Sequence, residues 1–112
     1  MDNKIKIERL RQSGNRFYLT ITGLEKPLSV SELLVYKFKL VEGIVITAPQ
    51  LEDLKRESAL FECDREVSRL LGVREHSTGE LRFKLKRRQF AADITKQIIK
   101  KYNLVIKIVK QK

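Results

Sequence analysis

The sequence predicts an α+β fold, with an N-terminal β-hairpin or small antiparallel sheet followed by a three-helix unit. Three observations predict it: apolar side chains alternate over residues 4–22, helix-capping spacings begin the later segments, and apolar residues then recur at helical spacing. We expect a β-rich module over residues 1–46, a three-helix repeat over 47–103 and a basic tail over 104–112.

The hairpin is predicted from two alternating segments, residues 4–10 and 16–22, joined by the turn-forming sequence Gln-Ser-Gly-Asn. The inward set of the second strand is Phe17, Leu19 and Ile21, with Tyr18 on the opposite face. An isolated hairpin is marginally stable in water, so its apolar face needs cover. The short runs over 27–30 and 43–46 are candidates for further strands.

Two capping spacings predict the first two helices. Ser29-x-x-Glu32 begins a short helix that ends before Gly43. Thr47, with Gln50 three residues later and a proline between them, begins a long helix that can run to Leu71. The apolar side chains of this long helix form two stripes, which indicates two neighbours or a kink near Ser58. Gly72 is expected to end the helix in a left-handed conformation.

Ser77-x-x-Glu80 is a further capping box, and it predicts a third helix with Leu81 and Leu85 on its apolar face. Phe90 follows the end of this helix. A fourth helix is predicted roughly from Ala91 to Asn103. Its inward residues are Ile94, Ile98, Ile99 and Tyr102, and its outward residues are Lys96, Lys100 and Lys101.

Positive charge is concentrated at the carboxyl end of the chain. Residues 1–81 hold 13 Lys/Arg against 13 Asp/Glu, whereas residues 82–112 hold 11 against Asp93 alone. The whole net charge of +10 therefore lies in residues 82–112. A field of this sign and density favours polyanions or acidic protein surfaces as partners.

Chemistry-bearing motifs are sparse. Cys63 is the single cysteine, which excludes an internal disulfide, and it lies on an apolar stripe as a small core residue would. His76 beside Ser77 lacks a third partner for a catalytic triad, and no phosphate loop or zinc spacing occurs. We therefore expect no enzyme, no cofactor and no metal site. Without a membrane-spanning run or signal peptide, a cytoplasmic protein is expected.

The chain resembles the RecX family, regulators of the bacterial recombinase RecA. The helical half carries an Arg before a Ser-x-x-Glu-Leu-x-x-x-Leu run that ends in a basic stretch and a Phe: Ala59, Leu70, Leu71, Arg74, Ser77, Glu80, Leu81, Leu85 and Phe90. The first half is similar to the N-terminal β-hairpin module of Gram-positive members: Ile5, Ile7, Arg16, Phe17, Gly23, Val30, Leu34, Lys37, Leu40 and Gly43. Where the family commonly has Gly before the Phe, this chain has Gln89, so a left-handed turn there would cost about 1 kcal/mol.

The resemblance implies a protein that lies along the groove of a RecA filament and lowers its recombination and ATPase activity, in DNA repair and the SOS response. Family members resemble a string of about three such helical repeats, and this chain contains one. The expected contact surface is a cationic ridge presented by the third and fourth helices. Its residues are Arg82, Lys84, Lys86, Arg87, Arg88, Lys96, Lys100 and Lys101.

An alternative from another class is a nucleic-acid-binding module without sequence preference and without a recombinase partner. Tyr18 is the aromatic side chain to test for stacking on bases, because it lies on the hairpin face opposite the apolar set. No recognition helix in a helix-turn-helix setting supports base reading. The sequence leaves the oligomeric state open, with a monomer expected and no membrane partner.

Overall fold

The computed structural model describes residues 4–110, and it describes side chains for residues 4–103. The elements are β1 (Ile5–Ser13), β2 (Arg16–Ile21), β3 (Leu28–Ser31), α1 (Glu32–Lys37), β4 (Val45–Ile46), α2 (Ala48–Val73), α3 (Thr78–Arg87) and α4 (Ala92–Lys110). The chain divides into two compact units, Met1–Phe61 and Glu62–Lys112. This order of elements confirms the predicted α+β class, while the predicted domain boundary between residues 46 and 47 stays a prediction.

The first unit contains a four-stranded antiparallel sheet in the order β3-β2-β1-β4. The predicted hairpin is confirmed as β1 and β2, joined by a two-residue turn at Gly14 and Asn15. Gly14 has a φ of 61°, a left-handed conformation that glycine adopts without steric cost. The two short runs proposed as cover form the edge strands β3 and β4.

A β-bulge at Glu8 keeps the apolar face of the hairpin continuous. Ile7 pairs with Ile21, but the next pairs are Arg9 with Thr20 and Leu10 with Leu19, so Glu8 is the extra residue. If Glu8 were paired regularly, strict alternation over residues 7–10 would put Leu10 on the face opposite Ile7. The bulge brings Leu10 back to the core side, where it packs against the buried cluster.

The core of the first unit lies on one face of the sheet. Its buried residues are Ile7, Leu19, Ile21, Val30, Leu34, Leu40, Ile46 and Leu54. Fully burying a side chain of this size contributes roughly 1.5–3 kcal/mol relative to leaving it exposed. Leu54 comes from the first half of α2, so this helix supplies part of the cover that the hairpin requires.

The cap of helix α1 lies two residues later than its sequence indicates. Ser31 is the N-cap, and its hydroxyl accepts a hydrogen bond from the Leu34 N–H at 3.2 Å. The prediction of Ser29 as the cap is wrong, because Ser29 is a buried residue of β3 that pairs with Tyr18. The Ser29 carbonyl instead accepts a 2.6 Å hydrogen bond from the Ser58 hydroxyl of α2.

Helix α2 has the predicted capping box. The Thr47 hydroxyl accepts from the Gln50 N–H at 3.2 Å, and the Gln50 side chain accepts from the Thr47 N–H at 2.8 Å. Its two apolar stripes serve different units: Leu54 is buried in the first, and Cys63 and Val67 are buried in the second.

The predicted left-handed end at Gly72 is wrong. The positive-φ glycines of the described chain are elsewhere, and α2 continues through Gly72 to Val73. No side chain or backbone atom would meet a Cβ at Gly72 within 4 Å, so this glycine is not required for close packing.

The second unit contains the end of α2 together with α3 and α4. Ser77 is the N-cap of α3, as predicted, and its hydroxyl accepts from the Glu80 N–H at 3.1 Å. The predicted inward residues are confirmed as buried for Leu81, Leu85, Ile94, Ile98 and Ile99. The backbone of α4 extends to Lys110, beyond the predicted end near Asn103. The side chains of the predicted basic tail, 104–112, lie outside the described residues. Among the described residues, no helix is long and apolar enough to cross a membrane.

Helix α3 ends in a Schellman motif with a left-handed residue that is not glycine. The Gln89 N–H donates to the Lys86 carbonyl at 2.9 Å, and the Phe90 N–H donates to the Leu85 carbonyl at 3.2 Å. Gln89 has a φ of 67°, which confirms the left-handed turn expected there. Helix α1 ends in the same way, with Lys39 at a φ of 52°.

We expect Gln89→Gly to stabilise the protein by about 1 kcal/mol, because glycine adopts the left-handed conformation without the steric cost of a Cβ. The measurement is the free energy of unfolding in urea. Gln89→Ala is the matched control, since alanine keeps the Cβ and should leave the stability nearly unchanged. Equal effects of the two substitutions would contradict the assigned strain.

Candidate partner-binding site

The cations of α3 lie on two opposite sides of the helix. Arg82 and Lys86 are four residues apart and so share one side, while Lys84 and Arg88 share the other. Leu81 and Leu85 fill the buried face between them. The predicted ridge is therefore divided by the helix into two basic surfaces.

The first surface is a groove between α3 and the start of α4, which we call the Thr95 groove. It has a volume of about 420 Å³ and is lined by Arg82, Lys86, Phe90, Ala92, Thr95 and Lys96. Within the side chains that the structure describes, its three cations form no ion pair. The Thr95 side chain is 8% exposed, and its hydroxyl has no hydrogen-bond partner among the described residues. A ligand oxygen in this groove would meet three cations, whereas the Thr95 hydroxyl oxygen is itself buried.

The second surface is a groove beside α2, which we call the Glu66 groove. It has a volume of about 350 Å³ and is lined by Glu66, Arg69, Leu70, Lys84, Arg87 and Arg88. The Glu66 carboxylate accepts a hydrogen bond from Arg69 at 2.5 Å and lies 3.5 Å from the Arg88 guanidinium. The hydrogen bond from Arg69, followed by the charge of Arg88, lowers the pKa of Glu66 below its ordinary value. This groove thus already contains an anion that neutralises part of its charge.

Lys84 is held by His76 at the edge of the Glu66 groove. The His76 Nδ1 lies 2.9 Å from the Arg74 carbonyl oxygen, and its Nε2 lies 2.9 Å from the Lys84 ammonium. Because a carbonyl can only accept, the geometry assigns the proton to Nδ1 and leaves Nε2 to accept from Lys84. The role of His76 seen here is to position a cation.

Two cations of the predicted site are bound to carboxylates. Arg88 contacts Glu66, and Lys101 forms a 2.5 Å ion pair with Asp64 of α2. The Tyr102 hydroxyl donates a hydrogen bond to the same Asp64 carboxylate. Burial, then this hydrogen bond and the charge of Asp64, raises the pKa of Tyr102 to about 12. Lys100 is exposed on α4 and lines neither groove.

Arg74, the Arg of the RecX-like motif, forms hydrogen bonds with the segment that joins α2 to α3 and with the start of α3. Its guanidinium donates to the Glu80 carboxylate at 2.6 Å and to the Glu75 carbonyl at 2.7 Å. The hydrogen bond from Arg74, and in smaller part the Ser77 N–H, lowers the pKa of Glu80. The Arg and Glu of the motif therefore serve the structure of the α3 start.

Sequence reasoning missed the residues that distinguish the two grooves: Glu66, Arg69 and Thr95. The i,i+3 spacing of Glu66 and Arg69 predicts an ion pair on a helix, but a sum of charges over residues 1–81 does not show which residues pair. The free hydroxyl of Thr95 has no sequence signal. Whether the eight predicted cations bind a partner stays a prediction.

Cys63 is fully buried, and burial raises the pKa of its thiol to about 11, with Asp64 and Glu66 adding to the effect. Such a thiol is unreactive at neutral pH. Within the described residues, no group of three or more His, Cys, Asp or Glu side chains is placed to hold a metal ion.

Comparisons with known proteins agree with this architecture. The family model described as RecX, first three-helix domain, matches residues 67–101. Among solved structures, the chain is similar to the crystal structure of regulatory protein RecX, with a TM-score of 0.63 and 18% sequence identity. The match covers 88% of this chain and 49% of the other, so this chain spans about half the length of that relative. No curated protein sequence matches it.

The described chain thus combines an antiparallel sheet module with a helical unit that carries two basic grooves. Within the helical unit, residues 67–101 are similar to the first three-helix domain of RecX, and the fold of the chain is similar to that of the crystallised regulatory protein RecX.

The contact of Tyr102 with Asp64 predicts a late-titrating tyrosine. The folded-state pKa of about 12 exceeds the ordinary value of 10.0, so this stabilisation is complete below about pH 10 and is lost as the pH rises towards 12. Tyrosinate absorbance should show one of the three tyrosines ionising late, and Tyr102→Phe should remove that step. Tyr36→Phe is the control, because Tyr36 is 72% exposed. A late step that persists in Tyr102→Phe would contradict the assignment.

Proposed function

We propose that the protein binds a RecA-type recombinase filament assembled on DNA and lowers its recombination and ATPase activity. The match of residues 67–101 to the RecX first three-helix domain supports a regulatory role, and the crystal structure that the chain resembles is described as a regulatory protein. The observation that carries the proposal is the Thr95 groove, which is lined by three cations that form no ion pair with the described side chains. We place this activity in DNA repair and the SOS response, in the cytoplasm.

Electrostatic attraction would bring the protein to an acidic filament surface or to the enclosed DNA. The net charge of +10 raises the local concentration of anionic partners and speeds encounter, and both effects weaken as salt rises. The rigid helices α3 and α4 then supply the geometry that selects one partner surface. No covalent chemistry is required of the protein in this mechanism.

The two grooves should contribute unequally. In the Glu66 groove, an incoming anion must compete with Glu66 for Arg69 and Arg88. In the Thr95 groove, Arg82, Lys86 and Lys96 have no such competitor among the described side chains. We therefore expect the Thr95 groove to provide the larger share of the affinity.

The alternative, binding of bare nucleic acid without a recombinase, makes a different prediction about the partner. A plain nucleic-acid binder would bind bare DNA as tightly as recombinase-coated DNA at the same ionic strength. A filament regulator binds the coated DNA more tightly. Fluorescence anisotropy with labelled DNA, with and without recombinase, separates the two functions.

Reversing the charge of the Thr95 groove tests the proposed function. We expect Arg82→Glu with Lys86→Glu to raise the concentration needed for half-inhibition of a recombinase ATPase by about tenfold or more, because two attractive charges become repulsive. Arg87→Glu with Arg88→Glu should also weaken inhibition, with helicity checked by circular dichroism because Arg88 neutralises Glu66.

The control pair is Lys26→Glu with Lys37→Glu, which changes the net charge equally but lies in the first unit, where both lysines are exposed. Inhibition by the control pair should remain close to that of the wild type. If reversal of Arg82 and Lys86 has no more effect than the control, the Thr95 groove does not contact the filament.

A further inference from the structure

The sheet of the first unit has a basic outer face, although residues 1–81 contain equal numbers of basic and acidic residues. Strand pairing puts Arg9 opposite Thr20 and Arg11 opposite Tyr18, with their side chains on the face opposite the core. Lys6 lies on the same face, because its neighbours Ile5 and Ile7 pack in the core. Lys6, Arg9 and Arg11 are all exposed.

The acidic residues that balance these cations in residues 1–81 are mostly in helices and loops. Glu8 of the bulge is the acidic residue within β1 and β2, and its carboxylate accepts a 3.1 Å hydrogen bond from the Thr22 hydroxyl. Glu42 lies at the edge of β1, where it accepts the Leu10 N–H at 2.9 Å. The described outer face of β1 and β2 therefore carries a net positive charge, although residues 1–81 together carry none.

Tyr18 stands on this face as a partly exposed aromatic side chain. Arg16 donates a 3.1 Å hydrogen bond to the Tyr18 hydroxyl, and its guanidinium carbon lies 5.9 Å from the centre of the ring. These contacts fix the orientation of the ring without placing it in the core. On the β3 side Ser29 is buried, so the accessible part of the face is the β1–β2 surface.

We propose that the outer face formed by Lys6, Arg9, Arg11, Tyr18 and Thr20 binds single-stranded nucleic acid. Cations that follow a strand, combined with an aromatic ring on an open sheet, are the features by which proteins hold the backbone and the bases of a single strand. Arg9 and Arg11 are two residues apart, about 7 Å along β1, so they can contact separate phosphates. An acidic protein surface would use the cations but not the ring, which favours nucleic acid as the occupant.

This binding surface lies in the first unit, and it does not require a recombinase or the grooves beside α3. Its failure and the failure of the proposed regulation are therefore distinguishable. Binding to an oligonucleotide without recombinase reports on the sheet face, and inhibition of the recombinase ATPase reports on the regulatory function.

The test uses the full chain and a fluorescein-labelled oligothymidylate, with binding followed by anisotropy at several salt concentrations. We expect Arg9→Glu with Arg11→Glu to weaken binding by about tenfold or more. It should also make the slope of log affinity against log salt shallower by about 1.4, which corresponds to two lost phosphate contacts on a single strand. We expect Tyr18→Ala to weaken binding about tenfold and Tyr18→Phe to retain it, because stacking needs the ring and not the hydroxyl.

Lys26→Glu with Lys37→Glu is again the matched control for net charge, and circular dichroism verifies folding of each variant. The proposal is overturned if the wild type does not bind the oligonucleotide, or if the control pair weakens binding as much as the Arg9 and Arg11 pair. It is also overturned if a duplex of the same length binds more tightly. Loss of binding in Arg82→Glu with Lys86→Glu, with full binding retained by the Arg9 and Arg11 pair, would assign the nucleic acid to the helices instead.

Discussion

Two carboxylates of α2, Asp64 and Glu66, determine the arrangement of the second unit. Asp64 accepts from Tyr102 and Lys101 of α4, and Glu66 lies between Arg69 of its own helix and Arg88 at the end of α3. These polar contacts surround buried apolar residues that include Val67, Leu85 and Ile99. The same contacts decide which cations remain available, because each carboxylate that ties a helix in place also occupies a Lys or Arg side chain. The candidate binding surface is therefore formed by the cations that do not contact these carboxylates.

Partly exposed ion pairs such as these contribute little stability individually. Their larger effect is on position, since they fix the direction in which the neighbouring cations point. Lys84, held by His76, is a second example of a cation placed by a neighbouring polar group. Arg82, Lys86 and Lys96 have no such constraint within the described side chains, and their freedom suits contact with a partner.

Much of the fold could be predicted from local patterns. The hairpin, the two short strands and the caps at Thr47 and Ser77 follow from spacing and residue type, whereas the left-handed turn at Gln89 was expected only from the resemblance to RecX. Tertiary contacts decided the rest. Ser29 has the correct spacing for a cap, but pairing of β3 with β2 takes it into the sheet, and Gly72 remains helical because nothing in the sequence compels α2 to stop there. The site was only partly predictable, because a count of charge locates cations along the chain but does not say which carboxylates they meet.

The hydrogen bond from the Ser58 hydroxyl to the Ser29 carbonyl has a consequence for association between molecules. Ser29 belongs to β3, an edge strand of the sheet, and a free carbonyl at such an edge invites pairing with a strand of another chain. With that acceptor occupied by α2, the β3 edge is less open to pairing with a strand of another chain.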